Sequence, residues 1–426
     1  YTFLEHLSDQ FGPRMIGTEG HREAMNHLER ELNALGIETR RQAFAYPGWV
    51  RGEARVDMTA PFQRTLRVAA LGYVGTFSNV RGPLTYVDSG EVAELDAAAI
   101  RDRILLVRQN VTFSHEAMLA LAAEHGVRGM LYINRKEGGQ LLARTANREG
   151  ESTPFPVFSL SQEEGLWMQR MLDSGRTVEL KVETTSRVDE WTGVNLIATI
   201  PGRSGERVLV GGHFDSWDLG QGAIDNGLAV TQLFETARLL QKHSPENRHT
   251  VELVWFDAEE FGLWGSRHYA EAEDLSNVRA VLNLDMVGRP IAVNAMGFDG
   301  LVPRLEDWVE GLGAWTFTRQ VANVPWLGSD HYPFILKGVP AITFNAPLDP
   351  EDVRYYHDFA DTFDKVDRVM LAESTAMTAL LIHHLANRTE PKVPHLSESE
   401  TAELFRKAGL EDRMRKAGRW PFGDPE

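Results

Sequence analysis

From about residue 188 onwards the sequence alternates apolar, strand-like runs with amphipathic helices, and few architectures accept that pattern. The runs VNLIATI, RVLVGG, VELVWF, VRAVLNL and VPAITF carry too many consecutive apolar residues for strands with one wet face. Between the second and third runs, Val230, Leu233, Phe234, Ala237 and Leu240 recur at helical spacing. Strands buried on both faces need helices to cover them, so the pattern predicts an α/β fold with a mostly parallel, mixed sheet flanked by helices. The N-terminal segment offers Ala24, Met25, Leu28, Leu32 and Leu35 at helical spacing, a stop at Gly36 and a strand-like run from Ile37 to Phe44. It reads as one more helix and strand joining the same sheet.

The stretch between these two parts has a different character. Short strands and turns follow one another from about Glu53, including ILLV at Ile104–Val107, a helical stretch near Glu116–Ala123 and the apolar run Met130–Ile133. Ser161 with Glu164 three residues on has the spacing of a capping box, and Val178, Leu180 and Val182 share one face of an alternating strand. At 426 residues the chain exceeds one ordinary domain. We therefore expect residues 1–52 and 188–390 to form one larger domain, 53–187 a smaller inserted α+β, β-rich domain, and 391–426 a C-terminal helical tail. In that tail Ser397 and Glu400 cap a short charged helix holding Leu404 and Phe405.

Composition removes several function classes. A formal charge of −17 argues against a phosphate-binding surface, so nucleic acid is not an expected partner. No window approaches 18 uninterrupted apolar residues, so no membrane span is expected. The absence of Cys excludes disulfides, thiolate catalysis and Cys-ligated zinc, leaving His, Asp and Glu to hold any metal. The numbering starts at Tyr1 rather than Met, which leans towards an exported protein with a trimmed signal, a cytoplasmic location being left open.

Open α/β sheets place ligands outside the carboxyl ends of their strands, and here those positions are acidic or His. His213 and Asp215 follow RVLVGG, and a glycine-rich loop then leads to Asp225 and Asn226. Asp257, Glu259 and Glu260 follow VELVWF, Asp285 follows VLNL, and His357 comes after VPAITF and a longer loop. Carboxylates and imidazoles from separate strand ends suit borderline cations, and one shared carboxylate would hold two zinc ions ~3.5 to 4 Å apart. Such a pair makes hydroxide available near neutral pH and polarises a carbonyl. Of the tandem Glu259 and Glu260, one can coordinate while the other receives the water proton and hands it to a leaving amine.

The segments GGHFDSWD, GAIDNG, DAEEFGLWGS, NLDMVG, SDHYPF and YYHDFADT, in this order, resemble the peptidase family of bacterial two-zinc aminopeptidases and plasma glutamate carboxypeptidase (carboxypeptidase Q-like). FGPRMIGTEG and its following helix resemble that family too, and residues ~53 to 187 look like its inserted protease-associated domain. The resemblance implies a two-zinc exopeptidase that hydrolyses the terminal bond of short peptides or dipeptides through a metal-bridging hydroxide. It implies that His213, Asp225 and Asp285 hold one zinc and that Asp225, Glu260 and His357 hold the other. It also makes Glu259 the general base and Asp215 the carboxylate orienting His213 through its other ring nitrogen, with Asp361 doing the same near His357. Trp326 stands where some relatives carry a carbonyl-polarising Tyr, leaving His331 or Tyr356 as substrate contacts, and Trp217 is a candidate pocket wall. The inserted domain is expected either to lid the site or to support a homodimer.

Other readings keep the fold and change the outcome. A glutaminyl cyclase-like zinc acyltransferase would close an N-terminal Gln without attack by water, and a non-catalytic binding ectodomain of the transferrin-receptor kind would lack the ligands. Taken alone, Glu259 and Glu260 also suit the acidic first turn of a helix. An SDH turn at His331 equally suits bracing of the next segment. His243, His249, His268, His383 and His384 lack acidic partners at strand ends and read as surface or packing residues.

Overall fold

The computed structural model describes residues 1–87, 97–108, 115–147, 149–244, 246–313, 320–348 and 354–423. The chain divides into two compact units, one of residues Tyr1–Phe44, Thr192–Val353 and Asp361–Glu426, the other of Ala45–Trp191 and Arg354–Ala360. Both are mixed α/β.

An eight-stranded sheet organises the larger unit, with the strands in the order Glu38–Val50, Arg187–Ile200, Thr250–Phe256, Arg207–His213, Val278–Asn283, Ala341–Asn345, Ala292–Asn294 and Val321–Ala322. Its centre is parallel: Arg207–His213 runs parallel to both Thr250–Phe256 and Val278–Asn283, and the latter parallel to Ala341–Asn345. The Arg187–Ile200 strand and the Ala292–Asn294 pairing are antiparallel. This is the mostly parallel, helix-flanked sheet that the apolar runs predict. Val208, Val210, Leu253, Leu282 and Ile342 face the main core on one side, while Leu209, Val254, Val281 and Phe334 form a second cluster. Burial on both faces is what makes these strands uninterrupted apolar runs.

Helix Leu228–His243 packs Leu228, Val230, Leu233, Phe234, Ala237 and Leu240 into the main core, as its spacing predicts. Helix Glu19–Ala34 begins at Thr18, whose hydroxyl accepts the His21 N–H at 3.2 Å, and ends before the left-handed Gly36. Helix Arg368–Asn387 is long and apolar enough to cross a membrane by length and composition. Counting unbroken apolar residues passes over it, because Glu373, Ser374 and Thr375 interrupt the run. Leu371, Met377, Leu381, Ile382 and Leu385 on it lie in the main core. The residues after 390 also join the larger unit: Ser397 and Glu400 form a full capping box, and Ala402, Leu404, Phe405, Met414 and Phe422 belong to the same core.

The smaller unit has its own eight-stranded sheet, antiparallel around Ala54–Ala60 and Glu179–Thr184 and parallel through Ile104–Arg108, Gly129–Ile133 and Val157–Leu160. Its boundaries fall at 44/45 and 191/192, and it takes in residues 354–360. The strands Glu38–Val50 and Arg187–Ile200 run through those boundaries without a break, so no turn signal marks them in the sequence. At Ser161 only half of the expected capping box forms. The Ser161 hydroxyl accepts the Glu164 N–H, but the Glu164 side chain instead accepts the Arg67 N–H at 3.0 Å and pairs with Arg64 at 3.1 Å.

Candidate metal centre

The Arg207–His213 strand delivers His213 at its carboxyl end through two glycines. A Cβ on Gly212 would sit 2.4 Å from the Leu284 carbonyl oxygen, so only glycine lets the neighbouring backbone come that close. Beyond it the loop turns at Gly222, in the left-handed region at φ 63, where a Cβ would overlap Ser216. The Ala223–Gly227 turn that follows carries Asp225, and the Asp225–Asn226 peptide bond is cis. Asn226 ties this turn to the segment bearing Asp285: its side chain donates to the Leu284 carbonyl at 3.1 Å and accepts the Met286 N–H at 3.2 Å.

These loops bring the predicted groups together. His213 Nε2 lies 3.1 Å from Asp225 Oδ1 and 3.8 Å from Asp285 Oδ1. His213, Asp225 and Glu260 each place one ligand atom within 4.8 Å of the others, a group of metal-binding shape among the described residues. The other ring nitrogen, Nδ1, faces the main-chain oxygen of Asp215 at 3.0 Å and its carboxylate at 3.6 Å. That carboxylate also accepts the N–H of Glu259 at 3.1 Å and of Glu260 at 3.2 Å. Asp215 therefore joins the strand end bearing His213 to the one bearing the tandem glutamates. Glu260 accepts the indole N–H of Trp217 at 2.7 Å, and Trp217 is buried against Phe261.

The electrostatics describe a centre short of positive charge. Burial raises the Glu259 carboxyl well above its ordinary value; Glu260, Asp330 and Asp285 add to the rise and His213 opposes it. Burial disfavours the His213 imidazolium, yet Glu259, Asp215, Asp225 and Asp285 outweigh it and raise that group well above its usual value. Asp330, fully buried, is pushed up to about 7 by burial, with Asp215 and Asp285 adding and His213 opposing. Buried carboxylates that repel one another around one imidazole favour protons or metal cations, and such oxygen and nitrogen donors fit a borderline divalent ion.

The other predicted residues have these surroundings. His331 is fully buried, its Nε2 2.9 Å from the Trp326 carbonyl, and burial lowers its imidazole to about 4. Tyr356 and His357 are grouped with the smaller unit. There His357 Nδ1 faces the Ala143 carbonyl at 2.8 Å, its own carbonyl accepts the Ala143 N–H, and Lys136 lies 4.3 Å from the Tyr356 ring centre. Asp361 accepts the N–H groups of Ile224 at 2.7 Å and Asp225 at 3.1 Å. Asp257, named at its strand end without a role, takes His21 at 2.9 Å and the Val194 N–H at 2.9 Å on its carboxylate, while Arg14 and Asp330 had no place among the expected site residues. An arginine set among Pro13, Met15 and Ile16 was the available signal for Arg14.

The sequence profile described as peptidase family M28 matches residues 195–382. That stretch is similar to peptidase family M28. Among relatives, aminopeptidase YwaD of Bacillus subtilis is 25% identical over 422 residues, covering 95% of this chain and 89% of that one. Carboxypeptidase Q of Mus musculus is 25% identical over 409 residues, covering 92% and 86%. Of solved structures, the peptidase M28 precursor of Shewanella amazonensis superposes with a TM-score of 0.83 at 24% identity, covering 93% of this chain and 95% of that one. A zinc aminopeptidase from Bacillus subtilis superposes with a TM-score of 0.75 at 20% identity, covering 93% and 97%. The chain thus shares its fold with both structures, and the matched stretch contains His213, Asp225, Glu259, Glu260 and Asp285.

Proposed function

We propose that this M28 peptidase is a two-zinc exopeptidase that removes a terminal residue from short peptides, with Glu259 as its general base. One observation carries the reading: His213, Asp225 and Glu260 converge to within 4.8 Å, with Glu259 next in sequence to one of them. His213, Asp225 and Asp285 would hold one ion, and Asp225 and Glu260 the other, with His357 added to the second from its sequence motif alone. Relatives named aminopeptidase and carboxypeptidase, and a like-folded protein named a zinc aminopeptidase, support the same class of chemistry.

Zinc, when bound, acidifies water and polarises the scissile carbonyl. The residues do the rest. Asp215 fixes the His213 ring through Nδ1 and holds the backbone of both glutamates, so the ligand and the base keep their separation. Glu259, raised well above its ordinary value by burial, takes the proton released by water and returns it to the departing amine. Trp217 holds Glu260 by its indole N–H, which leaves the neighbouring Glu259 to serve as base.

The test joins metal analysis to hydrolysis of a dipeptide panel with free or blocked termini, before and after chelation. We expect about two zinc ions per chain and cleavage that chelation abolishes and zinc restores, while the blocked termini show which end is read. Metal uptake without cleavage of any peptide would refute the hydrolase reading.

A further inference from the structure

The segment from Phe214 to Asp225, between the first ligand and the shared one, is gripped by two buried groups of opposite charge. Arg14 takes its carbonyls. Its Nε donates to Phe214 at 2.9 Å, Nη1 to Gln221 at 3.1 Å and Nη2 to Gly222 at 2.8 Å, and its backbone N–H donates to the Ser216 hydroxyl at 2.9 Å. Asp361 takes its amides, one carboxylate oxygen accepting the Ile224 N–H at 2.7 Å and the other the Asp225 N–H at 3.1 Å. The Asp361 carbonyl accepts the Gln221 N–H at 2.8 Å as well. Neither group is solvated: Arg14 is 0% exposed and Asp361 2%.

Burying a guanidinium and a carboxylate is unfavourable unless their hydrogen bonds and opposing charges compensate. Here the compensation is spent on one loop. A planar guanidinium can meet diverging carbonyls that a single ammonium cannot. A carboxylate can accept two successive N–H groups on its two oxygens, whereas an amide in its place would turn an NH2 donor towards one of them. Together they fix the backbone on either side of Gly222 and, through the Asp225 N–H, the direction from which the Asp225 carboxylate leaves the chain.

We propose that Arg14 and Asp361 form a positioning pair that presets Asp225 for metal, so the affinity of the centre depends on two residues that do not ligate it. This rests on the two-zinc reading above. Nothing in the family profile's range includes Arg14, which lies far upstream of residue 195. The N-terminal segment is therefore part of the metal-binding machinery and not merely a flank of it.

The test measures zinc affinity by chelator competition for the wild-type protein, Arg14→Lys, Asp361→Asn and the double variant, with folding followed by circular dichroism. Each single variant should bind zinc ~10- to 100-fold more weakly, the usual loss when a residue supporting a ligand is removed. The double variant should lose less than the product of the two, because both act on one loop. At saturating zinc the single variants should recover peptide turnover with an unchanged KM, a recovery that general destabilisation would not produce. If Arg14→Lys fails to fold, Ser216→Ala, which removes one acceptor of Arg14, should show a smaller loss in the same direction. Folded variants with wild-type zinc affinity, or ones that stay inactive at saturating zinc, would overturn the proposal. A wild-type protein that takes up no zinc would overturn the metal-centre reading itself.

Discussion

Replacing Trp217 with Phe removes one N–H and keeps an aromatic ring in the same place. In the structure that N–H donates at 2.7 Å to Glu260 Oε2, and Trp217 is only 3% exposed. A buried hydrogen bond to a charged acceptor contributes about 1.5 to 3 kcal/mol. At about 1.4 kcal/mol per factor of ten, its loss should weaken zinc binding at the Glu260 site about tenfold to a hundredfold. The smaller ring also loosens the contact with Phe261, whose centroid lies 5.2 Å away, which adds to the loss and does not reverse it. Chelator competition measures the affinity, and steady-state kinetics at saturating zinc measure KM. The expected result is weakened zinc binding with KM unchanged, since Trp217 acts on the ligand. Zinc affinity within about twofold of wild type together with a raised KM would refute this reasoning and make Trp217 a wall of the substrate pocket, the role its place beside the loop suggests in sequence.

Glu259→Gln should keep its zinc and lose ~10²- to 10⁴-fold in kcat, the usual contribution of a general base; near-normal turnover would remove Glu259 from that role. His331, fully buried with its imidazole lowered from 6.5 to about 4, makes the folded state bind fewer protons than the unfolded one between those values. Its contribution is therefore present above pH 6.5 and lost as pH falls to about 4, on the order of 3 kcal/mol in total. Urea unfolding with chelator present, so that zinc release does not contribute, should show this loss in the wild-type protein and not in His331→Gln; equal pH dependence in the two would contradict it.

The fold was legible because its cause is local. Strands hidden on both faces must be apolar throughout, so RVLVGG, VELVWF and VRAVLNL announce a parallel sheet before any contact is known, and the residues after them lie where such sheets collect ligands. Ser397 and Glu400 likewise complete their capping box within four residues. Where a signal needs a distant partner it fails: Glu164 has the spacing to cap Ser161, but Arg64 and Arg67, about a hundred residues earlier, take its carboxylate. The ends of the smaller unit carry no local mark for a related reason, since Glu38–Val50 and Arg187–Ile200 continue as strands across them.

The sequence by itself determined which residue types stand at the strand ends, and hence that oxygen and imidazole donors would gather there. Only the tertiary structure decided how each is held. Asp361 reaches Asp225 across 136 positions and Arg14 reaches Gly222 across 208, contacts that no periodicity encodes. A strand's burial is written in its own run of residues. The orientation of a ligand is set by whichever remote backbone or side chain the folded chain brings within 3 Å, and that choice is made only when the loops close.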